Sequence, residues 1–419
     1  MRRILLTWEI GSNTGHLLRL LPVAERLKEQ GHAVLAAVRD IPTAATVFGP
    51  TNISFVQAPI LAQGRQLRHR QTGYADILLS QGWAENSVLW GLIQGWINLF
   101  RMFRPDVIIA DFSPTACLAA RIAGVRVVWL GNGFELPPAT DPLPPFPGFS
   151  WATQELAARS ERIAVETANT VIQAFNGKKL QALRDLFDPQ TCLLATFPEL
   201  DHYGARPNIR YIGMLRGQPK ADSIAWPDEG EHRVFAYLRP DTENVDAILG
   251  GLLESGASVV CVAPEFDKER LNKYRSVRIT FTTRPVALER LASSAHVCVS
   301  YAAEGTVATF LLKGVPQLMS PRLVEGHMTA KRVVELGAGL MVPAGATGQI
   351  VATMLDRLCR TSECKTKAIA IADRYRGFDV NAAVDEIVGL VNILTGENGP
   401  PSYKSLPSTP VNQKGDDRR

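Results

Sequence analysis

The sequence contains no long apolar run, and this absence argues against a membrane-spanning helix. Such a helix needs about 20 consecutive, mostly apolar residues, and the chain has no run of even about 18. Arg2 and Arg3 precede an apolar stretch that stops within a few residues, too short for the apolar core of a signal peptide. We therefore expect a globular protein whose first apolar stretch is a β-strand.

Cysteine and net charge are also low. The six cysteines are scattered through the chain without metal-type spacing, at positions 117, 192, 261, 298, 359 and 364. Several lie in apolar runs, where a thiol behaves as a small buried hydrophobe. This usage is typical of a reduced, cytoplasmic protein. A formal net charge of +4 gives no reason to expect a nucleic-acid partner.

Short apolar runs alternate with helical patterns along the chain, which predicts the α/β class with parallel sheets. The 419 residues suffice for two domains of ordinary size. A polar stretch with prolines and a glycine predicts a linker at 217–231, between an N-terminal domain (1–216) and a C-terminal domain (232–396). The tail at 397–419 is rich in Pro, Ser, Lys and Asp and is predicted to be disordered.

Two helices carry specific expectations. The first follows the loop Gly11–His16, and Pro22 is expected near its first turn, because a proline deeper in a helix breaks the hydrogen-bond ladder. A single helix near 366–394 is expected to close the folded part of the chain.

Residues 61–104 combine a basic loop with apolar side chains at helical spacing. The loop contains Arg65, Arg68, His69 and Arg70; the apolar set is Trp83, Leu89, Trp90, Ile93, Trp96, Ile97, Phe100 and Phe103. The preferred interpretation is a core helix beside a solvated loop. The alternatives are the wall of a pocket for a hydrophobic acceptor and, ranked last, weak docking on an anionic membrane surface.

The stretch from Thr283 to Gly326 has the pattern of a ligand site. A buried strand at His296–Ser300 leads through small residues into a helix that is expected to open at Thr306, with Thr306 as its N-cap. A strand that feeds a helix N-terminus in this way can bind an anion. A second strand, Gln317–Ser320, precedes Glu325, so both loops are expected at the carboxyl ends of adjacent parallel strands.

A second group of polar residues lies in the first half of the chain. His16 follows the first predicted strand, and Asp111 ends another. Because the ends of parallel strands converge at one edge of a sheet, the two side chains can meet there. A carboxylate behind an imidazole makes a general base. Alternatively, His16 lines a turn and Asp111 caps the next helix.

The stretch from Thr283 to Gly326 resembles the signature segment of the UDP-glycosyltransferase superfamily. Its pattern runs W-x-P-Q, then H-x-G-x-[NG]-[ST], then P-x-x-x-[DE]-Q, and this chain keeps its spacing without gaps. The retained residues are Pro285, Gly305, Thr306, Gly314, Val315, Pro316, Pro321 and Glu325. The resemblance implies the GT-B fold, with two Rossmann-like domains whose parallel sheets face each other across a cleft and whose last helix returns to the first domain.

The chain also departs from this pattern where the family reads the nucleotide and sugar. Thr283 replaces the Trp, Val286 the Gln, Tyr301 the His, Thr309 a Glu and Gly326 the final Gln. Arg239 stands where the family has small residues, and could bind a phosphate in place of the missing His; otherwise it is a solvated surface residue. The candidate donor-binding set is Arg239, Thr283, Val286, Tyr301, Ala303, Glu304, Gly305, Thr306 and Glu325.

The resemblance implies an inverting hexosyltransferase that uses a nucleotide sugar of the UDP or dTDP type as co-substrate, with no cofactor and no metal. His16 would take the proton from an acceptor hydroxyl, and Asp111 would orient His16. The acceptor is expected to be a small or lipid-like hydrophobic molecule. Two other functions stay open, namely a partner protein with a degenerate donor site and a sugar-nucleotide epimerase of the same architecture, because fold alone does not separate them.

Overall fold

The computed structural model describes residues 1–12, 14–217, 223–360 and 362–396. Among these residues it divides into two compact units: 1–196, 206–217 and 381–396 form the first, and 197–205 with 223–380 form the second. In this division residues 197–205 group with the second unit, although they precede the boundary predicted at 216. The predicted disordered tail and residues 218–222 of the predicted linker lie outside the described residues.

The first unit is built on a parallel sheet with strand order β3-β2-β1-β4-β5-β6-β7. Its strands and helices are β1 (Arg3–Trp8), α1 (Gly15–Glu29), β2 (Ala33–Val38), α2 (Ile41–Phe48), β3 (Ser54–Gln57), α3 (Tyr74–Leu78), α4 (Asn86–Phe103), β4 (Val107–Asp111), α5 (Pro114–Ala123), β5 (Arg126–Gly131), α6 (Gln154–Ala174), β6 (Cys192–Leu194) and β7 (Arg210–Tyr211). Short 3₁₀ turns at Gly49–Thr51 and Leu183–Leu186 and a π-turn at Leu79–Trp83 complete it. The central strands β1 and β4 are adjacent, which decides where the polar residues after them meet.

Pro22 lies in the interior of α1, so its expected place near the first turn was wrong. Proline has no N–H to offer the carbonyl four residues earlier, and that carbonyl belongs to Leu18. The Gly217 N–H donates to the Leu18 oxygen instead, over 2.7 Å. A Cβ at Gly217 would lie 2.8 Å from Leu21 Cδ2, so glycine permits this close approach. A distant segment thus supplies the hydrogen bond that the helix lacks.

The second unit repeats the architecture with a parallel sheet of order β10-β9-β8-β11-β12-β13. Its elements are β8 (Arg233–Tyr237), α7 (Val245–Glu254), β9 (Ser258–Val262), α8 (Lys268–Asn272), β10 (Ile279–Thr282), α9 (Leu288–Ala292), β11 (Val297–Ser300), α10 (Glu304–Leu311), β12 (Gln317–Met319), α11 (Val324–Glu335), β13 (Gly339–Met341), α12 (Gly348–Arg360) and α13 (Ser362–Arg374). The predicted α/β class with two Rossmann-like units is confirmed.

The chain closes with two helices, not with the single helix predicted near 366–394. Helix α13 ends at Arg374, and α14 (Val380–Gly396) begins after a short turn. Helix α14 belongs almost entirely to the first unit: Asp385 pairs with Arg26, and the Leu394 carbonyl accepts a hydrogen bond from Arg126.

The apolar residues of 83–103 mainly form core, as the preferred interpretation predicted. Leu89, Ile93, Trp96, Ile97 and Phe100 on α4 are fully buried. The basic loop before them is exposed, with Arg65 paired to Glu85 and Arg70 lying over the Trp151 ring. The core interpretation therefore holds for these five side chains, whereas Trp90 and Phe103 are only partly buried and the acceptor-pocket interpretation stays a prediction.

Two further expectations from the sequence concern the cysteines, expected as buried thiols, and the absence of a membrane-spanning helix. All six cysteines are free thiols, and four of them are buried. Among the described residues, no helix combines the length and apolar character that crossing a membrane requires.

Candidate active site

His16 and Asp111 meet at the carboxyl edge of the first sheet. His16 is the second residue of α1, and Asp111 ends β4, level with Trp8 on the adjacent strand. The imidazole Nδ1 lies 2.6 Å from Asp111 Oδ1. Asp111 does not cap α5, because Glu9 does: its carboxylate accepts hydrogen bonds from the N–H groups of Thr115 and Ala116. The capping interpretation of Asp111 was therefore wrong.

Two residues that the sequence reasoning missed complete this group. Arg19 Nη1 donates to both oxygens of Asp111, over 3.0 and 3.1 Å, and lies 2.5 Å from Glu135 Oε2. Glu135 Oε1 lies 3.5 Å from His16 Nδ1. Signals for both exist in the sequence, because Arg19 is three residues beyond His16 on one helical face and Glu135 follows the end of β5 as Asp111 ends β4.

The four charged or titratable side chains form a nearly buried network. The exposed fractions of the side chains are 0% for Asp111, 3% for Glu135, 11% for His16 and 12% for Arg19. Burial alone would lower the pKa of His16, but the charge of Asp111 and its hydrogen bond, with a smaller contribution from Glu135, raise that pKa above its ordinary value. The imidazole is therefore a stronger base than a free histidine.

Apolar rings border the same imidazole. Trp8 stacks on His16 with ring centroids 5.3 Å apart, and Phe112 lies at 6.3 Å. Gly11 adopts a positive φ of 95° beside the ring, and a Cβ there would lie 2.3 Å from His16 Nε2. Because His16 is held by Asp111 and cannot move aside, this position requires glycine. The Nε2 edge of the ring therefore lies next to the backbone of Gly11, with no side chain between them.

His16, Asp111 and Glu135 bring three metal-ligand atoms within 4.8 Å of one another. The guanidinium of Arg19 already contacts both carboxylates. It supplies the positive charge that two buried carboxylates need, where a metal ion would otherwise be required. The arrangement fits an acid–base group better than a metal site.

The predicted anion loop of the second unit follows β11, with one correction. Helix α10 begins at Glu304 with Ala303 as its N-cap, so Thr306 is neither the first helical residue nor the cap. Thr306 is 3% exposed, and its N–H donates to the Ala303 carbonyl over 3.0 Å. Gly305 lies in the first turn, where N–H groups favour an anion. The backbone N–H of Thr306 is therefore already engaged within the helix.

Three aromatic and cationic side chains cluster at neighbouring strand ends of this unit. Arg239 follows β8, Tyr301 follows β11 and Arg322 follows β12, in the sheet order β8-β11-β12. The guanidinium of Arg322 lies over the Tyr301 ring at 5.8 Å, and that of Arg239 over Tyr237 at 6.0 Å. Burial raises the pKa of the Tyr301 hydroxyl, so this side chain stays neutral. Sequence reasoning found Arg239 but missed Arg322.

The other residues of the signature segment differ in how exposed they are and in how much space surrounds them. Thr283 is exposed just after β10. Val286 is buried in the apolar core with Phe235 and Phe310, and its side chain has no polar group to offer a ligand. A Cβ at Gly326 would lie 3.0 Å from the Tyr301 carbonyl. The loop after β11 thus occupies space that the family's larger residue at 326 would need.

Glu304, the first residue of α10, and Glu325, the second residue of α11, converge on a buried histidine. Their carboxylates and His202 bring ligand-type atoms within 4.8 Å of one another. His202 Nε2 lies 3.0 Å from the Thr329 hydroxyl, which itself lies 3.1 Å from the Glu325 carbonyl. No sequence signal pointed to His202, which precedes the signature segment by about eighty residues.

Comparison with known proteins identifies the fold. No family model matches the chain. The elloramycin glycosyltransferase ElmGT of Streptomyces olivaceus is 36% identical over 86 residues, which are 20% of this chain and 21% of that protein. The similar segment thus spans about a fifth of that curated relative.

Solved structures match over far more of the chain. Glycosyltransferase VinC, in complex with dTDP, has a TM-score of 0.67 at 20% identity and covers 93% of this chain and 100% of its own. The spinosyn rhamnosyltransferase SpnG has a TM-score of 0.66 at 16% identity, with the same coverage. SsfS6 from Streptomyces sp. SF2575 has a TM-score of 0.63 at 18% identity. At these identities the likeness establishes the GT-B fold, and with it the predicted resemblance to bacterial GT-B glycosyltransferases.

Proposed function

We propose that this protein is a glycosyltransferase that moves a hexose from a nucleoside diphosphate sugar to an acceptor hydroxyl, with inversion at the anomeric carbon. The observation that carries the proposal is the hydrogen bond between His16 and Asp111 at a sheet edge. Fold likeness adds support, since VinC, SpnG and SsfS6 are all glycosyltransferases by name, but fold alone does not determine chemistry.

The first unit supplies the base in this mechanism. Asp111 engages Nδ1 and so leaves Nε2 as the atom that accepts the proton of the acceptor hydroxyl. The acceptor oxygen forms its bond to C1 as the bond from C1 to the phosphate oxygen breaks, and the nucleoside diphosphate leaves with the electron pair. A single displacement of this kind inverts C1. Asp111 stabilises the imidazolium that results, and general-base catalysis of this type contributes about 10²–10⁴-fold.

The second unit holds the donor. The diphosphate carries negative charge, and Arg239 and Arg322 place two guanidinium groups at the strand ends beside the first turn of α10. They would stabilise the leaving group where the family uses a histidine. Glu325 would accept hydrogen bonds from the sugar hydroxyls. A donor of the dTDP or UDP type fits this role, and VinC and SsfS6 have each been solved with thymidine diphosphate. No cofactor is required.

The acceptor is proposed to be a hydrophobic small molecule. Trp8 and Phe112 border His16 and Phe134 packs on Phe112; all three rings are nearly buried, and apolar aromatic surroundings of this kind suit an apolar ligand with one reactive hydroxyl. SpnG, a structural neighbour, has been solved with the spinosyn aglycone. A lipid-like acceptor and weak contact with a membrane surface stay predictions without structural support.

A partner protein without catalysis is the second candidate. The buried Val286 and the tight backbone at Gly326 favour it, because both remove side chains with which the family reads its donor. An epimerase is favoured by no observation in the structure; it would turn over the donor without an acceptor.

One experiment separates these functions. Thermal unfolding is measured with a panel of sugar nucleotides and free nucleoside diphosphates, and a ligand at about 100 times its Kd adds roughly 2.7 kcal/mol to the unfolding free energy. The control is the variant Arg239→Ala with Arg322→Ala. We expect stabilisation by one donor class in the wild type and little in the control. Release of nucleoside diphosphate is then assayed with and without a panel of hydrophobic alcohols and phenols. Stabilisation without release in any mixture would overturn the transferase in favour of the binding protein.

A further inference from the structure

We infer that Glu135 and Arg19 are positioning residues for His16: Glu135 is a second carboxylate that strengthens the imidazole as a base, and Arg19 fixes both carboxylates against it. The catalytic consequence rests on the proposed function, but the effect on the imidazole itself does not. Neither residue belongs to the sequence pattern from which His16 and Asp111 were identified.

The backbone after β5 is shaped to place Glu135 at the network. Its Oε2 accepts a hydrogen bond from the Asn132 N–H over 2.8 Å and lies 2.5 Å from Arg19. The carboxylate folds back over Gly131, where a Cβ would lie 2.7 Å from Oε2. Three separate constraints therefore fix one carboxylate whose other oxygen lies 3.5 Å from His16 Nδ1.

Charge balance gives the direction of the effect. With a neutral imidazole, the group carries two carboxylates and one guanidinium, a net charge of minus one in a nearly buried volume. A proton on His16 brings the group to neutrality, and a buried group is most stable when its charges are balanced. Without Glu135, the guanidinium would offset Asp111 alone and the gain on protonation would shrink. The charged groups that face the ring are Asp111, Glu135 and Arg19, and the other neighbours are the rings of Trp8 and Phe112.

Arg19 has two opposed effects. Its positive charge weakens the base, while its hydrogen bonds hold both carboxylates at their short distances from the ring. Removing Arg19 would leave two buried carboxylates without a counterion, which is strongly destabilising. Glu135 is therefore the residue to change first.

The test is a titration of the His16 ring by NMR in the whole protein without substrate. Glu135→Gln keeps the shape and one acceptor oxygen, which can still accept from the Asn132 N–H and Arg19, but removes the charge, and we expect the pKa of His16 to fall by about 1. The matched control is Glu161→Gln, a buried glutamate of the same unit that hydrogen-bonds the backbone of Leu143 and Leu183. A His16 pKa in Glu135→Gln equal to that in the control would overturn the inference.

Two further measurements guard this result. If Glu135→Gln does not fold, Glu135→Asp retains the charge at a greater distance and should lower the pKa by a smaller amount; an unchanged pKa there overturns the inference equally. In the transferase assay, the acid limb of kcat/KM should move to lower pH together with the NMR midpoint. A shifted midpoint in a protein without turnover would contradict the proposed function and leave the inference standing. Lower turnover with an unmoved midpoint would reduce Glu135 to a structural role.

Discussion

The two sheets present their polar residues at the same kind of place, the carboxyl ends of parallel strands, but they hold them differently. Around His16 every charged group is nearly buried and paired with another member of the network. In the second unit, Arg239 and Arg322, whose own side chains are 12% and 21% exposed, pair with Glu265 and Asp241, whose side chains are 71% and 62% exposed. A carboxylate that lies mostly in water gains little from an ion pair, so each arginine can exchange its carboxylate for a phosphate while its own position stays fixed. In the first group both partners of each pair are nearly buried, whereas in the second only the cation is.

The largest expected effect comes from removing His16, the proposed base of the first unit. His16→Ala should lower turnover by about 10²–10⁴-fold, because the acceptor hydroxyl loses its proton acceptor, while donor binding by the second unit stays unchanged. Turnover and nucleotide affinity are measured separately, by product formation and by calorimetry. His69→Ala, which removes an exposed histidine of the same unit, is the control. Equal turnover in both variants would show that His16 is not the base.

Substituting Arg239 or Arg322 should weaken nucleotide binding, whereas substituting His16 should lower turnover. Arg239→Ala and Arg322→Ala each remove hydrogen bonds between charged groups, which are worth about 1.5–3 kcal/mol, so each should weaken nucleoside diphosphate binding by roughly 10–100-fold. Calorimetric titration with dTDP and UDP measures this. Asp241→Asn and Glu265→Gln are the matched controls, since they release the same arginines from their exposed partners. If these controls weaken binding as much as the alanine variants do, the ion pairs are structural and the phosphate role is wrong.

The network around His16 should also make both turnover and folding stability depend on pH. The raised pKa of His16 means that the neutral base predominates only above a midpoint higher than 6.5, so kcat/KM should fall about tenfold per pH unit below that midpoint. The contribution of His16 to folding stability changes with pH in the opposite direction to kcat/KM. The folded state favours the imidazolium, so this contribution is fully present below about pH 6.5 and is lost as pH rises through the folded pKa. Urea unfolding between about pH 6 and pH 9, compared with His16→Ala, measures it. A wild-type midpoint at or below 6.5 would contradict the charge balance of the network.

The same comparison explains what the sequence could predict. The strands predicted at His296–Ser300 and Gln317–Ser320 lie at Val297–Ser300 and Gln317–Met319, because buried parallel strands are short apolar runs between clear breaks. The contact of His16 with Asp111 followed from strand order. Arg19, Glu135 and Arg322 were not predicted, because their roles depend on side-chain packing across elements that are distant in sequence. Pro22 was misplaced for the same reason, since the hydrogen bond from Gly217 lies in another segment of the chain.

The smallest expected effect concerns metal ions. Chelation with EDTA should leave turnover unchanged, because Arg19 already balances the carboxylates near His16 and the two arginines of the second unit supply the charge that a diphosphate needs. If the protein does require a metal ion, the residues that could hold it in the second unit are His202, Glu304 and Glu325, whose ligand-type atoms lie within 4.8 Å of one another. A loss of turnover on chelation that added Mn²⁺ or Mg²⁺ restores in the wild type, but not in Glu304→Gln, would place a required ion there. Glu335→Gln, on the same helix as Glu325 and paired with Arg332, is the control for removing one carboxylate from that region. An ion there, held by the buried His202 and two half-buried carboxylates, would supply part of the positive charge that the comparison assigns to the two arginines of the second unit.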